Sequence, residues 1–366
     1  PPPPPPPPPF FFFKQMTAFD IPLRLVVSEM CIRFRIDAAT GKVLFAKEMN
    51  KKTYPASMTK IMTTLIVFEK LSNGTLSLDD KFLVSERAWK EREGSSMFVE
   101  VDKEIRVEDL LRGIIVQSGN DACIVIAENI AGTEESFAFM MTDKAKEIGM
   151  LNTNFTNSTG MHSDDNYSTV YDIAILSQYL INNYPEYYHL FAETEFTWSD
   201  IKQNNRNPLL YKNMGVDGLK TGHLSTSGYG LAASAFNGER RVISVTNGFE
   251  SKTKRSQGSS RLITWSFREF TNIKLFSKDE AVGDVKVPGS NESLSSLSVK
   301  DDVIITVPKA KKSSMEYYIV INENIKFAHL VTKEDFVLWL KLLKNNYKIC
   351  LLYTSPSPRD VEEYRM

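Results

Sequence analysis

The sequence is poor in the residues that build metal centres and covalent cross-links, with three cysteines and four histidines among 366 residues. Cys31, Cys123 and Cys350 form neither a zinc-ligand spacing nor a disulfide framework. No metal and no other cofactor is therefore expected. Cys123, inside the apolar run 122–127, reads as a buried inert thiol. No stretch is long and apolar enough to cross a membrane. Neither sign of charge is in excess, the formal net charge being -1, so no nucleic-acid partner is expected. What is present is ordinary for a globular chain, 42% hydrophobic and 24% charged, and long enough for one large domain and a smaller one.

The two ends differ from the middle. Residues 1–13 are nine prolines followed by four phenylalanines. Such a run is either a stiff polyproline II ligand or the translation of homopolymeric C and T. VVSEMCIR at 26–33 and LLYTSPSPRD at 351–360 resemble translated adapter sequence. Residues 1–34 and 349–366 are accordingly expected to be non-native extensions and are set aside from fold reasoning. Resequencing the gene across both junctions checks this, an uninterrupted natural frame being the contrary result.

From Ile36 the pattern is that of a folded protein. Ile36 and Val43-Leu44-Phe45 flank a turn, Asp37–Gly41, and predict a hairpin. After Pro55 a helical stripe runs through Met58, Ile61, Met62, Leu65 and Ile66. Further helices are expected over 107–116, 122–130 and 169–182. Residues 196–248 switch to short strand-like runs, and Asn237-Gly238 joins two of them as a hairpin signal. Residues 256–270 return to helix. Strands enclosing helices predict an α+β fold, an antiparallel sheet with flanking helices and a helical subdomain, over residues 35–271. Beyond Thr271 the composition shifts. Val285, Val287, 303–305 and 317–321 suggest short strands, and a helical period returns only at 336–343, a short apolar and basic stretch of ambiguous kind. A small β-rich domain over 272–348 is the simplest account.

Three short motifs occur in order: Ser57-Met58-Thr59-Lys60, Ser118-Gly119-Asn120 and Lys220-Thr221-Gly222. Taken singly each has an ordinary explanation. In an isolated S-x-x-K the serine usually caps a helix and the lysine is solvated, and the chain holds a second example at Ser251–Lys254 as an internal control. Ser57 differs in opening an apolar helix, where its backbone N–H can face an oxyanion. Lys60, three residues on, can reach the hydroxyl. A serine hydroxyl attacks only once a base takes its proton, and lysine serves if burial or a second cation lowers its proton affinity. Lys220 could be that cation. Ser118 or Asn120 could simply cap the next helix. Lys220-Thr221-Gly222 could be a plain strand end, or a strand facing the nucleophile with Gly222 allowing a substrate backbone to approach. The joint occurrence, in this order and on these elements, favours the catalytic account.

This set resembles that of the low-molecular-mass penicillin-binding proteins, serine D-Ala-D-Ala carboxypeptidases, S-x-x-K and K-T-G belonging to the wider penicillin-recognising group. YPASMTK at 54–60, SGNDAC at 118–123, NRNPLL at 205–210, VDGLKTGH at 216–223 and GYGLAASA at 228–235 all look like that family. The likeness is strong over 36–271 and weak beyond. It implies a β-lactamase/transpeptidase-like domain followed by the β-rich one. It also implies that Ser57 attacks the penultimate D-alanine carbonyl, that Lys60 is general base, and that Ser118 relays a proton to the leaving amine. Asn120 would hold the substrate amide, Lys220 and Thr221 would sit by the terminal carboxylate, and Gly222 would be a further substrate-binding residue. The N–H groups of Ser57 and His223 would form the oxyanion hole. Arg255 and Arg206 match two family arginines, Arg255 near the carboxylate. His162 falls in a family-like loop, in a structural role.

The implied partners are a peptidoglycan stem peptide ending in D-Ala-D-Ala and β-lactam antibiotics, with an extracytoplasmic location and membrane association of the full-length protein. The middle motif is S-G-N where class A β-lactamases carry S-D-N, and no glutamate loop is evident to activate a deacylating water. That weighs against a β-lactamase. A β-lactam-sensing or peptidoglycan-binding module, acylated without turnover, is the alternative from another class. A proline-rich adaptor would rest on the first residues alone.

Overall fold

The structure, a computed structural model, describes residues 32–91, 93–285, 295–314, 317–321, 336–342 and 347–353. Strand-forming runs from both ends of the first unit, Pro1–Phe267, meet in one sheet. Its strands are β1 (Ile32–Asp37), β2 (Val43–Lys47), β7 (Val216–Leu224), β8 (Gly228–Phe236) and β9 (Arg241–Phe249), in the order β2-β1-β9-β8-β7, every pair antiparallel. Two minor hairpins, β3 (Lys81–Leu83) with β4 (Glu104–Arg106) and β5 (Glu195–Trp198) with β6 (Ile201–Asn204), lie between. The helices are α1 (Lys60–Ser72), α2 (Glu86–Lys90), α3 (Val107–Arg112), α4 (Asn120–Ala131), α5 (Glu134–Glu147), α6 (Val170–Asn183), α7 (Pro185–Tyr188) and α8 (Lys252–Glu269). Ile32 and Arg33, from the stretch resembling adapter sequence, are the first residues of β1 and pair with Asn247 and Thr246.

The sheet is covered on both faces, and its strands are built for it. In β1 the alternation of apolar and charged residues would suit one wet face, yet all six residues are buried. Ile32, Phe34 and Ile36 join the core of helices α1 and α3–α6. On the opposite face α8 roofs Arg35, whose guanidinium donates to the Leu262 carbonyl at 2.7 Å and lies between the rings of Phe45 and Trp265. Burial, with Arg33 nearby, lowers Arg35 to about 9. Asp37 and Arg240 form a second buried pair at 3.0 Å, where removing one partner costs about 3–5 kcal/mol. Strand β8 divides in the same way, Ala232 facing the helical core while Leu231, Ala233 and Ala235 pack with Ile263 of α8.

Helix α1 departs from the expected stripe. Every residue from Lys60 to Phe68 is buried, because the other helices and β7 pack around it. The run 107–116 is also not one helix. It is α-helical to Arg112, then opens into a π turn over Gly113–Gln117 that ends at Ser118 in a left-handed conformation. Such wide turns recur at functional sites, where they re-aim the residue that follows.

The second unit, Arg268–Met366, contains β10 (Phe270–Phe276) paired with β13 (Val303–Pro308), and β11 (Ala281–Val285) paired with β12 (Ser295–Ser298). A three-stranded sheet follows, made of β14 (Tyr317–Ile321), β15 (Phe336–Leu342) and β16 (Tyr347–Tyr353). The stretch read as returning to a helical period is thus a strand. A short apolar run has no decisive period, and pairing on both sides settles it. Val287 lies outside the described residues, as do residues 1–31 and 354–366.

Candidate active site

Pro55 initiates a single 3-10 turn, Ala56–Thr59, from which α1 continues. In a 3-10 turn residues three apart eclipse one another, so Ser57 and Lys60 meet. The Lys60 Nζ is 3.2 Å from the Ser57 Oγ and 2.7 Å from the Asn120 Oδ1, and it also donates to the Thr159 carbonyl. These three acceptors match the three donors of an ammonium. Burial works the other way and lowers the proton affinity of Lys60, with Arg206 adding to it and Asp121 and Glu134 opposing. Burial holds Lys220 still further below its ordinary value, helped by Lys60, Arg206 and Arg255. Lys60 is thus among the charges that lower Lys220, the group expected from sequence to act on Lys60.

Ser57 opens on a cavity of about 630 Å³. Eight of the ten residues singled out by sequence line it: Ser57, Ser118, Asn120, Arg206, Thr221, Gly222, His223 and Arg255. Lys60 and Lys220 lie buried beneath its wall. Neither Ser118 nor Asn120 caps α4, whose N-cap is Gly119 without a side-chain bond. Asn120 instead bridges, accepting from Lys60 and donating to the Glu93 carbonyl at 2.7 Å. The control serine behaves as the ordinary reading says. Ser251 accepts the Lys254 backbone N–H at 3.2 Å, and Lys254 pairs with Glu250 on the surface.

Two glycines let the walls close on the nucleophile. A Cβ on Gly222 would stand 2.6 Å from the Pro55 carbonyl oxygen, so glycine is required there by the packing of β7 on the serine turn. This is a second reason for glycine, beside the expected approach of a substrate backbone at Gly222, which also lines the cavity. Gly160 has φ +82, and a Cβ on it would stand 1.9 Å from the Ala56 oxygen.

The far end of the cavity is cationic. Arg255, in the first turn of α8, is buried with its guanidinium 5.9 Å from the Tyr229 ring, and burial lowers it to about 10 while leaving it charged at neutral pH. His223 stacks on Tyr229 at 3.9 Å, and burial together with Lys252 and Arg255 lowers its proton affinity. Arg206 is exposed, yet it reaches the cavity. Asn205 and Asn207 are buried and bond the carbonyls of Glu193 and Gly218, which fixes the loop, and Arg206 Nη1 meets the Ser95 Oγ at 2.5 Å. His162 stays outside, edge-on to Tyr54 and 3.8 Å from Asp164.

Other lining residues were not singled out by sequence: Gly94, Ser95, Thr159, Gly160, Met161, Leu224, Tyr229 and Lys252. Tyr229 is placed by register, directly across from His223. Asp121 was also missed, although a carboxylate in an apolar helix is a signal. Fully buried, it accepts from the backbone of Met97, Phe98 and Val99 and from the Ser96 hydroxyl, and so holds the loop beside the cavity. Cys123 is buried and its thiol is pushed up to about 12, out of reach of ordinary thiol chemistry. Among the described residues no group of three His, Cys, Asp or Glu side chains could hold a metal.

Comparison with known proteins matches this chain to two family models. D-alanyl-D-alanine carboxypeptidase covers residues 31–251, and the C-terminal domain of penicillin-binding protein 5 covers residues 270–363. D-alanyl-D-alanine carboxypeptidase DacD of Salmonella typhimurium is 36% identical over 282 residues, 75% of this chain and 72% of that protein. Among solved structures, penicillin binding protein 5 from Haemophilus influenzae superposes with a TM-score of 0.83 at 32% identity, covering 88% of this chain and 96% of that one. Penicillin-binding protein D2 from Listeria monocytogenes in its ampicillin-bound form gives 0.59 at 28% identity, covering 64% and 96%.

Proposed function

This chain belongs to the D-alanyl-D-alanine carboxypeptidase family, and we propose that Ser57 carries the family reaction here with Lys60 as its base. The enzyme removes the terminal D-alanine of a peptidoglycan stem peptide through an acyl-enzyme. The observation that carries the residue assignment is the buried Lys60 Nζ 3.2 Å from the Ser57 Oγ at the floor of the cavity. The terminal carboxylate goes to the cationic end, beside Thr221, Arg255 and Lys220. That places the penultimate carbonyl over Ser57. Lys60, once neutral, takes the hydroxyl proton as Oγ attacks, and the N–H groups of Ser57 and His223 receive the oxyanion. Asn120 holds the substrate amide, and Ser118 passes a proton to the departing D-alanine amine. Water then releases the acyl group. Release of D-alanine from a peptide ending in D-Ala-D-Ala is the direct test, and a folded chain that is acylated but releases none would instead be a sensor or binding module.

β-Lactams enter the same reading as mimics of that peptide end, acylating Ser57. No carboxylate is among the described residues lining the cavity, so the glutamate-assisted deacylation of class A β-lactamases has no counterpart there. Benzylpenicillin is therefore expected to form a long-lived adduct, seen by mass spectrometry as a mass shift on Ser57. Rapid hydrolysis of benzylpenicillin by the purified protein would overturn this. We further place the full-length protein outside the cytoplasm and associated with the membrane, where its substrate lies. Among the described residues no helix is long and apolar enough to span a bilayer. Fractionation of the source cells tests the placement, and recovery in the cytosol would count against it.

A further inference from the structure

Glu134 is the first residue of α5 and is buried, 6% exposed, outside the lining of the cavity. It does not cap its own helix, a task that Thr133 performs for the Ser136 N–H. Its Oε1 instead accepts both donors of one distant residue, the Ser158 backbone N–H at 2.9 Å and the Ser158 hydroxyl at 2.6 Å. Its Oε2 accepts Arg87 Nη2 at 2.6 Å, so the charge is paired on its outer side. The next carbonyl along from Ser158, that of Thr159, is the one that accepts from Lys60. The same short segment is tied down elsewhere. The Ser158 carbonyl accepts the Thr63 hydroxyl at 2.6 Å, and the Asn157 Oδ1 accepts the Gly160 N–H at 2.7 Å.

We infer that Glu134 is a positioning residue for acylation: by holding Ser158 it fixes the Thr159 carbonyl which, with Asn120, aims Lys60 at Ser57. This rests on the reading of Lys60 as the base. A buried carboxylate costs desolvation that a neutral side chain would not, and here Arg87 on one oxygen and Ser158 on the other offset it. Its charge has a second consequence. Glu134 on α5 and Asp121 on α4 favour the ammonium form of Lys60, against burial and against Arg206. Lys220 on β7 and the Cys123 thiol on α4 complete the titratable groups around it.

The test is the rate of acylation of the full chain by benzylpenicillin, followed against pH, in Glu134→Ala, Glu134→Gln and Lys60→Gln. Loss of the tether in Glu134→Ala is expected to slow acylation about 10- to 100-fold. Glu134→Gln keeps an oxygen for the Ser158 N–H and is expected to recover most of that rate. Its acid limb should move to lower pH, because the charge that favoured the Lys60 ammonium is gone. Wild-type rates in both Glu134 variants overturn the inference, as does a Glu134→Gln rate no higher than that of Glu134→Ala. If Glu134→Ala does not fold, Glu134→Asp, which shortens the tether and keeps the charge, takes its place and is expected to slow acylation. Lys60→Gln separates the two levels. If it acylates at the wild-type rate the underlying reading falls, whereas lost acylation there with unaltered Glu134 variants brings down the positioning role only.

Discussion

Ser57→Ala is expected to abolish D-alanine release from a D-Ala-D-Ala peptide, a loss of roughly four to six orders of magnitude. The expectation follows from where the hydroxyl sits. Ser57 is fixed on a rigid 3-10 turn between β7 and the segment carrying Gly160, both of which touch that turn at closer range than a side chain would allow. No other described hydroxyl is bonded to the buried Lys60 ammonium, and an alanine at 57 removes one oxygen without disturbing the packing. The variant should therefore keep the wild-type melting temperature and still bind peptide, while neither releasing D-alanine nor taking up benzylpenicillin. Release that persists at a hundredth of the wild-type rate or more would mean that another group does the chemistry.

Lys60→Gln should cost about 10²- to 10⁴-fold in acylation, the usual worth of a positioned base. The sign of the pH effect is fixed by the surroundings. Lysine is a base only when neutral, and burial lowers its proton affinity below that of a free lysine. Acylation by the wild type should therefore rise with pH along an acid limb lying below the titration range of a free lysine, and level off above it. With glutamine at 60 that limb should disappear along with the rate. A residual rate that kept the wild-type limb would assign it to another group, of which Lys220 is the first candidate.

The chemistry was legible where it lay in contiguous residues. Ser57 and Lys60 are three apart in sequence and eclipsed on one turn, so spacing alone brought them together. Two of the three motifs that meet at one cavity stand where a helix begins, and such boundaries carry composition signals, while Lys220-Thr221-Gly222 lies inside β7. The roles of Asp121, Glu134 and Tyr229 were not legible. They depend on partners 24, 24 and 6 residues away, and only the fold makes the pairs. Gly222 was legible as a constraint but its cause was not, since the clashing Pro55 carbonyl belongs to another part of the chain. Helix α1 read as amphipathic because its threonines look like a wet face, whereas Thr63 is buried with its hydroxyl bonded to the Ser158 carbonyl. In β15 the apolar run was too short for period to decide.

Strand β7 ends the order of the sheet, so among the described residues one of its backbone rims has no strand beside it. Of its residues only Thr221, Gly222, His223 and Leu224 border the cavity. At about 3.3 Å per residue, four residues of rim offer about 13 Å to an extended guest. Under the proposed reaction the rim is thus a ruler as well as a template, its length matched to the last few residues of a peptide.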